Sequence, residues 1–418
     1  MTDNRVVITG MGVVSPVGTG LQKFFGELKA GSNGIHRVTA FDVTGYRSKL
    51  AGEVKDFNSE DWIDLKSARR MDRFTQFGLA ASHMAFTDAG LDSFPFDGNR
   101  AGVIIGSGIG GSQALEEGFL TLSSKGPGSL NPFAVSRMLI NMSACNVSIK
   151  YGLKGPLSAP SVACSTGSNA IGDAFRILQR GDADIMLAGS SEACITPLPY
   201  GCFCATRSMT PSECPETGCR PFDKNRDGFV MGEGAGIVVM ETLKHALSRG
   251  AEIYCEVAGY GNTADAYHIT APEPGSDGMV RVMQSALNDA SMKAEEIGYI
   301  NAHGTSTVLN DKCESSAILK VFGEHAPSLK VSSIKSMIGH LLAGAGAVEL
   351  VSTVMSVRYG VVPPTINCLE TDSDCPLDYV TGGAESLDLG AAMSNSFGFG
   401  GGNACIVIKK YGEIDGNS

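Results

Sequence analysis

An α/β fold built from two related halves is predicted for this chain of 418 residues. Three observations predict it. Stretches that read as a strand entering a glycine-rich turn alternate with stretches of helical periodicity. The pattern of the first half recurs in the second: "VVITGMG" near the start resembles "CEVAGYG" at 255–261. The composition, 43% hydrophobic and 18% charged with 53 glycines, suits a compact chain with many tight turns and close backbone approaches.

The strand candidates, in order, are "RVVITGMG" (5–12), "AGVIIGSG" (101–108), "ADIMLAGSS" (183–191) and "GIVVMETL" (236–243). The second half supplies "AEIYCEVAGYG" (251–261), "IGYINAHG" (297–304), "LKVSSIKS" (329–336) and "NACIVIKKY" (403–411). Helical spacing covers 73–90, 168–180, 278–291 and 338–358. A strand, one key residue and a buried helix occur around 161–180 and again around 329–358. This argues for an internal duplication with a join near 250, giving halves 1–250 and 251–418.

The formal net charge is −11, which argues against nucleic-acid binding, because neutralising phosphates needs clustered Lys and Arg. An acidic partner would need a local basic patch. No run of uncharged apolar residues is long enough to span a membrane. The N-terminal "MTDNRVVITG" enters a strand pattern at once and lacks the regions of a signal peptide, so a cytoplasmic protein is expected. Its 12 cysteines then read as free thiols. The densest group, Cys194, Cys202, Cys204, Cys214 and Cys219, lacks C-x-x-C spacing and a nearby His, so it reads as small packed residues, not zinc ligands. "GSGIGG" (106–111) matches a dinucleotide fingerprint, but no strand ending in an acid follows; a glycine-rich turn at a packed interface is expected instead.

Chemistry concentrates at a few junctions. In "SVACSTGSNAIG" (161–172), Cys164 stands at or just before a helix start, where partial positive charge favours thiolate. Ala163, Ser165 and Gly167 around it are small, leaving room for a substrate. On these residues alone a core cysteine is as apt a reading as a nucleophile. "NAHGTSTVLNDKCE" (301–314) carries His303 just past an apolar strand. "SSIKSMIGHLLAGAGAVE" (332–349) carries Lys335 and His340 at the mouth of a helix apolar nearly all round, where both are costly to bury unless paired or used. "SNSFGFGGGNA" (394–404) adds a glycine-rich turn able to aim a backbone N–H at a reacting oxygen.

"ACSTG" (163–167), "NAHGTST" (301–307) and "KSMIGHLLAGAGAVE" (335–349), framed by "VVITGMGVVSPVG" and "NSFGFGGGN", resemble the β-ketoacyl-acyl-carrier-protein synthases of the thiolase-like condensing enzymes, over nearly the whole chain. They favour the type II elongating form over type I. The resemblance implies a thiolase-like fold: duplicated half-domains in five alternating layers (αβαβα), assembled as a homodimer. It implies decarboxylative condensation of acyl-carrier and malonyl-carrier thioesters, with Cys164 as nucleophile, His303, His340 and Lys335 as catalytic partners, and the backbone N–H groups of Cys164 and Phe399 as oxyanion hole. Phe399 would also gate acyl entry. Thr270, Thr305 and Thr307 would bind substrate, the last two through the phosphopantetheine arm. Glu314 would be a carboxylate near Lys335, and Ile109 and Phe203 would line an acyl tunnel near the dimer interface. Phosphopantetheine arrives on the acyl carrier protein, so no resident cofactor is implied, and no metal is assigned beyond a structural monovalent cation left open near Glu349 and Asn395.

Lys66, Arg69, Arg70 and Arg207 match positions where relatives touch the carrier. Three departures stand out. A loop that carries a basic pair in several relatives has Gly128 and Ser129 here; position 402 is Gly where relatives usually have Thr; and Val308 replaces a common Pro. Four rival readings stand beside this one. A degradative thiolase would have a second cysteine where Phe399 stands, a Cys–His–Asn enzyme would have Asn at 340, and a non-catalytic chain-length partner would lack Cys164. A Cys–His hydrolase would release free acid.

Overall fold

The computed structural model describes residues 4–412. Its strands in the first half are β1 (Val6–Ser15), β2 (Ala101–Gly106), β3 (Leu157–Ser158), β4 (Ile185–Glu192) and β5 (Gly234–Thr242). Those in the second are β6 (Cys255–Ala264), β7 (Tyr299–Asn301), β8 (Lys330–Ser332), β9 (Asp378–Tyr379), β10 (Ala391–Phe397) and β11 (Gly402–Lys409). They lie in the order β9-β8-β7-β10-β11-β6-β1-β5-β4-β2-β3. β1, β4 and β5 are buried along their whole length, as strands covered on both faces must be.

Read outward from the central β1–β6 pair, the two runs of strands repeat one pairing pattern. β1–β5 and β5–β4 are antiparallel, then β4–β2 and β2–β3 parallel. β6–β11 and β11–β10 are antiparallel, then β10–β7 and β7–β8 parallel. Both opening strands carry a register shift, between Ile8 and Gly10 and between Val257 and Gly259.

The six main helices are α1 (Arg73–Asp88), α2 (Met142–Tyr151), α3 (Thr166–Arg180), α4 (Asp277–Ala290), α5 (Val308–Phe322) and α6 (Ala345–Tyr359). α1 and α2 cover one outer face, α4 and α5 the other, and α3 and α6 lie between the sheet halves, where their side chains build the largest apolar cluster. Five layers alternate α, β, α, β, α. The "GMG" and "GYG" likeness has a steric cause. A Cβ on Gly10 or Gly12 would collide with the carbonyls of Ala85 and Ala81 in α1, and one on Gly259 or Gly261 with those of Ala286 and Val282 in α4. Each outer helix packs its backbone against a glycine pair.

The structure departs from the sequence reading in several places. The helix expected over 338–358 begins only at Ala345; Lys335–Ile338 is a separate turn and Leu342–Gly344 a 3₁₀ segment, because Gly339 and Leu342 have positive φ. The tail read as a glycine-rich turn over 394–404 is mostly strand, the turn being confined to 398–401. Helices at 21–30, 112–125, 142–151 and 308–322 were not anticipated; in Ser112–Lys125 most apolar side chains stay exposed, so no one-sided stripe marked it. Among the described residues no helix is long and apolar enough to cross a membrane.

Candidate active site

Cys164 sits in the 3₁₀ turn Ala163–Ser165 that leads into α3. Ala163 has φ 47°, a strained conformation for a residue with a side chain. Short local bonds hold it: Val162 N–H donates to Thr166 Oγ1 at 2.8 Å, Thr166 Oγ1 to the Ala163 carbonyl at 2.7 Å, and Ser165 Oγ to the Val162 carbonyl at 2.9 Å. The sulfur lines a cavity of about 370 Å³. Burial pushes its thiol up to about 11; the Phe399 N–H and Lys335 work against that, and Glu349 and Glu192 reinforce it. This reverses the thiolate expected from the helix start. Desolvation outweighs the dipole, and the resting sulfur carries its proton.

His303 and His340 line the same cavity, with ring centroids 5.3 Å apart and planes nearly perpendicular. His303 follows β7; His340 is fixed by backbone bonds, its N–H donating to the Val230 carbonyl at 2.7 Å and its carbonyl accepting from Gly232 N–H at 2.8 Å. Lys335 is wholly buried behind them. Its Nζ pairs with Glu349 Oε1, donates to the His303 carbonyl at 2.7 Å and lies 3.3 Å from His303 Nδ1. With Nζ donating, Nδ1 accepts, and the neutral ring carries its proton on Nε2. Burial first, then the Lys335 charge, hold both histidines well below their ordinary range, with His340 adding to the effect on His303. Both rings are neutral at neutral pH. His340 Nδ1 is buried without a partner.

Phe203, Arg207, Thr270, Thr305, Thr307 and Phe399 also line this cavity. Thr305 and Thr307 share a hydroxyl hydrogen bond of 2.8 Å. Phe399 stacks obliquely on Phe203 with centroids 6.4 Å apart, and its turn is tied to a second loop by Gly400 N–H donating to the Ile269 carbonyl at 2.8 Å.

Other expected site residues lie elsewhere. Glu314 does not line the cavity. It is fully buried and accepts from the N–H groups of His303 and Gly304, both at 2.8 Å; the carboxylate that touches Lys335 is Glu349. α5 runs back beneath the turn that carries His303, so Glu314 meets that turn's backbone and not the substrate space. Ile109 is 37% exposed and outside the Cys164 cavity in the single chain. Lys66, Arg69 and Arg70 are exposed, pair with no carboxylate among the described residues and do not line the cavity; of the four basic residues only Arg207 does. All 12 cysteines are free, Cys202 and Cys214 being exposed.

Sequence reasoning missed Leu342 and Phe229, which line the cavity; Leu342 has φ 49°, a conformation no apolar residue advertises in sequence. It also missed Glu192. That residue closes the apolar strand "ADIMLAGSSE", and a lone acid ending a buried strand was the available signal.

The β-ketoacyl synthase N-terminal domain matches residues 3–246 and the C-terminal domain residues 254–369. The 3-oxoacyl-[acyl-carrier-protein] synthase 2 of Staphylococcus aureus strain COL is 49% identical over 98% of this chain and 99% of its own. The same-named protein of Synechocystis is 48% identical over 97% and 98%. Among solved structures, a ketosynthase in complex with its type II PKS acyl-carrier protein, bound to the hexaketide, superposes with TM-score 0.91 at 36% identity, covering 98% of this chain and 100% of that one. A β-ketoacyl synthase from Burkholderia phymatum gives 0.90, also at 36% and with the same coverage. With its layered thiolase-like fold, and its cysteine and two neutral histidines on one cavity, this chain belongs to the β-ketoacyl synthase family.

Proposed function

We propose that the protein lengthens fatty acyl chains by decarboxylative condensation of an acyl-carrier thioester with malonyl-carrier. One observation carries the reading: Cys164, His303 and His340 face one cavity, with Lys335 anchored behind. The Cys164 sulfur attacks the acyl thioester, its proton leaves with the carrier thiol, and an acyl-cysteine forms. Malonyl-carrier then loses CO₂. The electron pair of the broken C–C bond moves onto the thioester as an enolate, whose oxygen two imidazole N–H donors can hold. The enolate carbon attacks the acyl-cysteine carbonyl. That oxyanion lies toward the N–H groups of Cys164 and Phe399, and the nearness of the Phe399 N–H to the sulfur supports this. Cys164 departs with the pair and takes up a proton from solvent, the one proton the overall reaction consumes, and a 3-oxoacyl-carrier two carbons longer leaves. Lys335 orients His303 and shapes the local field; it has no proton to shuttle in this scheme.

The carrier protein docks at the mouth, where Arg207 stands, with Lys66, Arg69 and Arg70 as further basic contacts for an acidic partner. A homodimer is supported by the exposed apolar side chains of Leu115, Phe119, Leu120, Phe133, Val135 and Leu139, and by β3, an exposed strand at the end of the sheet order. Ile109 belongs to that side of the molecule. The oxygens of Asn301 Oδ1, Glu349 Oε2, Ser394 Oγ and Asn395 Oδ1 are buried without partners. An all-oxygen set of this kind fits a monovalent cation, which would neutralise the carboxylate that Lys335 leaves half-satisfied.

The test is a product assay. Acyl-carriers of varied length are supplied with malonyl-carrier and the products identified by mass. Wild type yields 3-oxoacyl-carriers longer by two carbons. Cys164→Ala yields none while still decarboxylating malonyl-carrier, and chain extension by that variant would overturn the assignment.

A further inference from the structure

Several buried charges take no part in the mechanism above. Glu192, closing β4, accepts from Gly108 N–H at 2.8 Å and Ser107 Oγ at 3.1 Å, on a turn that does not line the cavity. Arg226 differs, because the turn it holds does reach the substrate space. Its side chain is 1% exposed. Nε donates to the Thr307 carbonyl at 3.3 Å and Nη2 to the Val308 carbonyl at 3.0 Å. Nη1 pairs with Asp372 Oδ2 at 2.6 Å and donates to the Asp223 carbonyl at 2.9 Å. Asp311, fully buried, stands 3.5 Å from Nε. One of its oxygens accepts from Thr305 N–H and the other from Phe222 N–H, both at 3.0 Å. One guanidinium thus ties the turn 305–308 to two distant segments, 222–226 and 369–374.

Thr305, Thr307 and Val308 line the cavity, whereas Arg226 does not. The two threonine hydroxyls bond each other at 2.8 Å. That bond uses one of their two hydrogens and leaves the other to donate to an amide carbonyl. The turn needs holding. Ser306, between the threonines, has φ 68°, a costly conformation for a residue with a side chain. Val308 is the first residue of α5, a position where proline would fix φ in advance; valine does not, and the turn is tethered from across the fold.

We propose that Arg226 is a positioning residue: its fork holds the carbonyls of Thr307 and Val308, so that the Thr305 and Thr307 hydroxyls meet the amide-bearing arm of an arriving thioester. This rests on the condensing reading, in which the threonine pair takes the pantetheine arm, and names what holds that pair. The test compares malonyl-pantetheine, which carries the arm, with the malonyl ethyl thioester, which does not, by kcat/KM for CO₂ release. Arg226→Lys keeps the buried charge but cannot span both carbonyls. It should lower kcat/KM for malonyl-pantetheine about fivefold and leave that for the ethyl thioester within about 1.5-fold. General loosening gives a different result: both substrates must reach His303 and His340, so both fall alike, and that outcome overturns the proposal.

A second measurement uses Val308→Pro. Proline suits the first position of a helix, and Thr307, at ψ 143°, accommodates a proline after it. With the turn stiffened locally, the factor lost on Arg226→Lys should shrink; an undiminished factor overturns the proposal. Should Arg226→Lys fail to fold, Asp372→Ala removes one anchor of the guanidinium from a side chain 22% exposed and away from the cavity. Its loss is smaller, about twofold, and again confined to malonyl-pantetheine; equal losses on both thioesters overturn the proposal. Equal handling of the two thioesters by wild type overturns the arm assignment itself, and the proposal with it. A wild-type preference for malonyl-pantetheine, with both substrates lowered alike in the variant, overturns the proposal alone.

Discussion

The turn after β2 and the turn after β7 occupy matching places in the two halves, yet they do different work. Each follows a parallel strand, leads into a helix, and is held by a buried carboxylate accepting backbone N–H groups. The second turn presents His303 to the cavity; the first presents Ile109 outside it. Duplication supplied one scaffold with two similar turns. One turn places a histidine on the cavity and the other does not reach it. The carboxylate comes from β4 in the first half and from α5 in the second, so what recurs is the physical need to satisfy a tight turn's buried donors, met by a different residue each time.

Four outcomes would sharpen or break this contrast. The largest effect is expected at His303: replacing it with Ala removes an oxyanion donor and should lower kcat by on the order of 10²–10³, equally for all acyl lengths. Steady-state kinetics on two acyl lengths measures it, and a length-dependent loss would erase the distinction between the turns.

Next comes Glu314→Gln. It leaves one of two buried N–H groups facing an amide NH₂, and should destabilise the protein by roughly 1–3 kcal/mol while lowering kcat about tenfold, because His303 loses its seat. Denaturant melts and kinetics together check this; unchanged kcat would mean that the turn does not need its clamp.

A third concerns pH. Both carboxyls have folded-state values raised from 4.5 to about 7, so the folded protein binds their protons more tightly than the unfolded chain. Their contribution is therefore fully present below the unfolded value and is lost as pH rises through the folded one. Stability should fall between about pH 4.5 and about pH 7, and each Glu→Gln variant should flatten part of that slope in melts taken across the range. Equal slopes in wild type and both variants would show that the two carboxyls are not strained by burial.

The smallest effect is expected at Gly402→Thr, which restores the residue usual in relatives. Its Cβ would lie 2.6 Å from Val162 Cγ1, a side-chain tip that can turn away. A cost of about 1 kcal/mol or less and a change in kcat within about threefold are expected, read by thermal melting and kinetics.

Much of the fold was legible in the sequence because its strands are short apolar runs ending at glycine, and because the glycine pairs of β1 and β6 announce close helix packing. Of the helices that escaped notice, Ser112–Lys125 leaves most of its apolar residues exposed, whereas Leu21–Ala30 does carry a stripe, Leu21, Phe24, Phe25 and Leu28, that its short length hid. The long helix placed from 338 shows a related limit: apolar composition cannot reveal that Gly339 and Leu342 turn the chain before Ala345. The residues that meet at the cavity, Cys164, His303 and His340, were legible because each stands at a junction in a motif of unusual specificity. The roles of carboxylates were not. Glu314 was expected near Lys335 and does feel its charge, but the carboxylate in contact is Glu349, since which acid meets which base depends on how α5 and α6 cross beneath the turns.

The chain's own order of residues determined the layered α/β architecture, the strand and helix junctions at which Cys164, His303, Lys335 and His340 stand, and the motifs that mark the family. These follow from local spacing and local chemistry. Tertiary structure alone decided the protonation of Cys164, the neutrality of His303 and His340, the pairing of Lys335 with Glu349, and the hydrogen bonds that Glu192 accepts from Ser107, Gly108 and Ile109. Each of these is set by the depth of burial and by groups brought together from distant parts of the chain, and neither quantity is defined until the layers have closed.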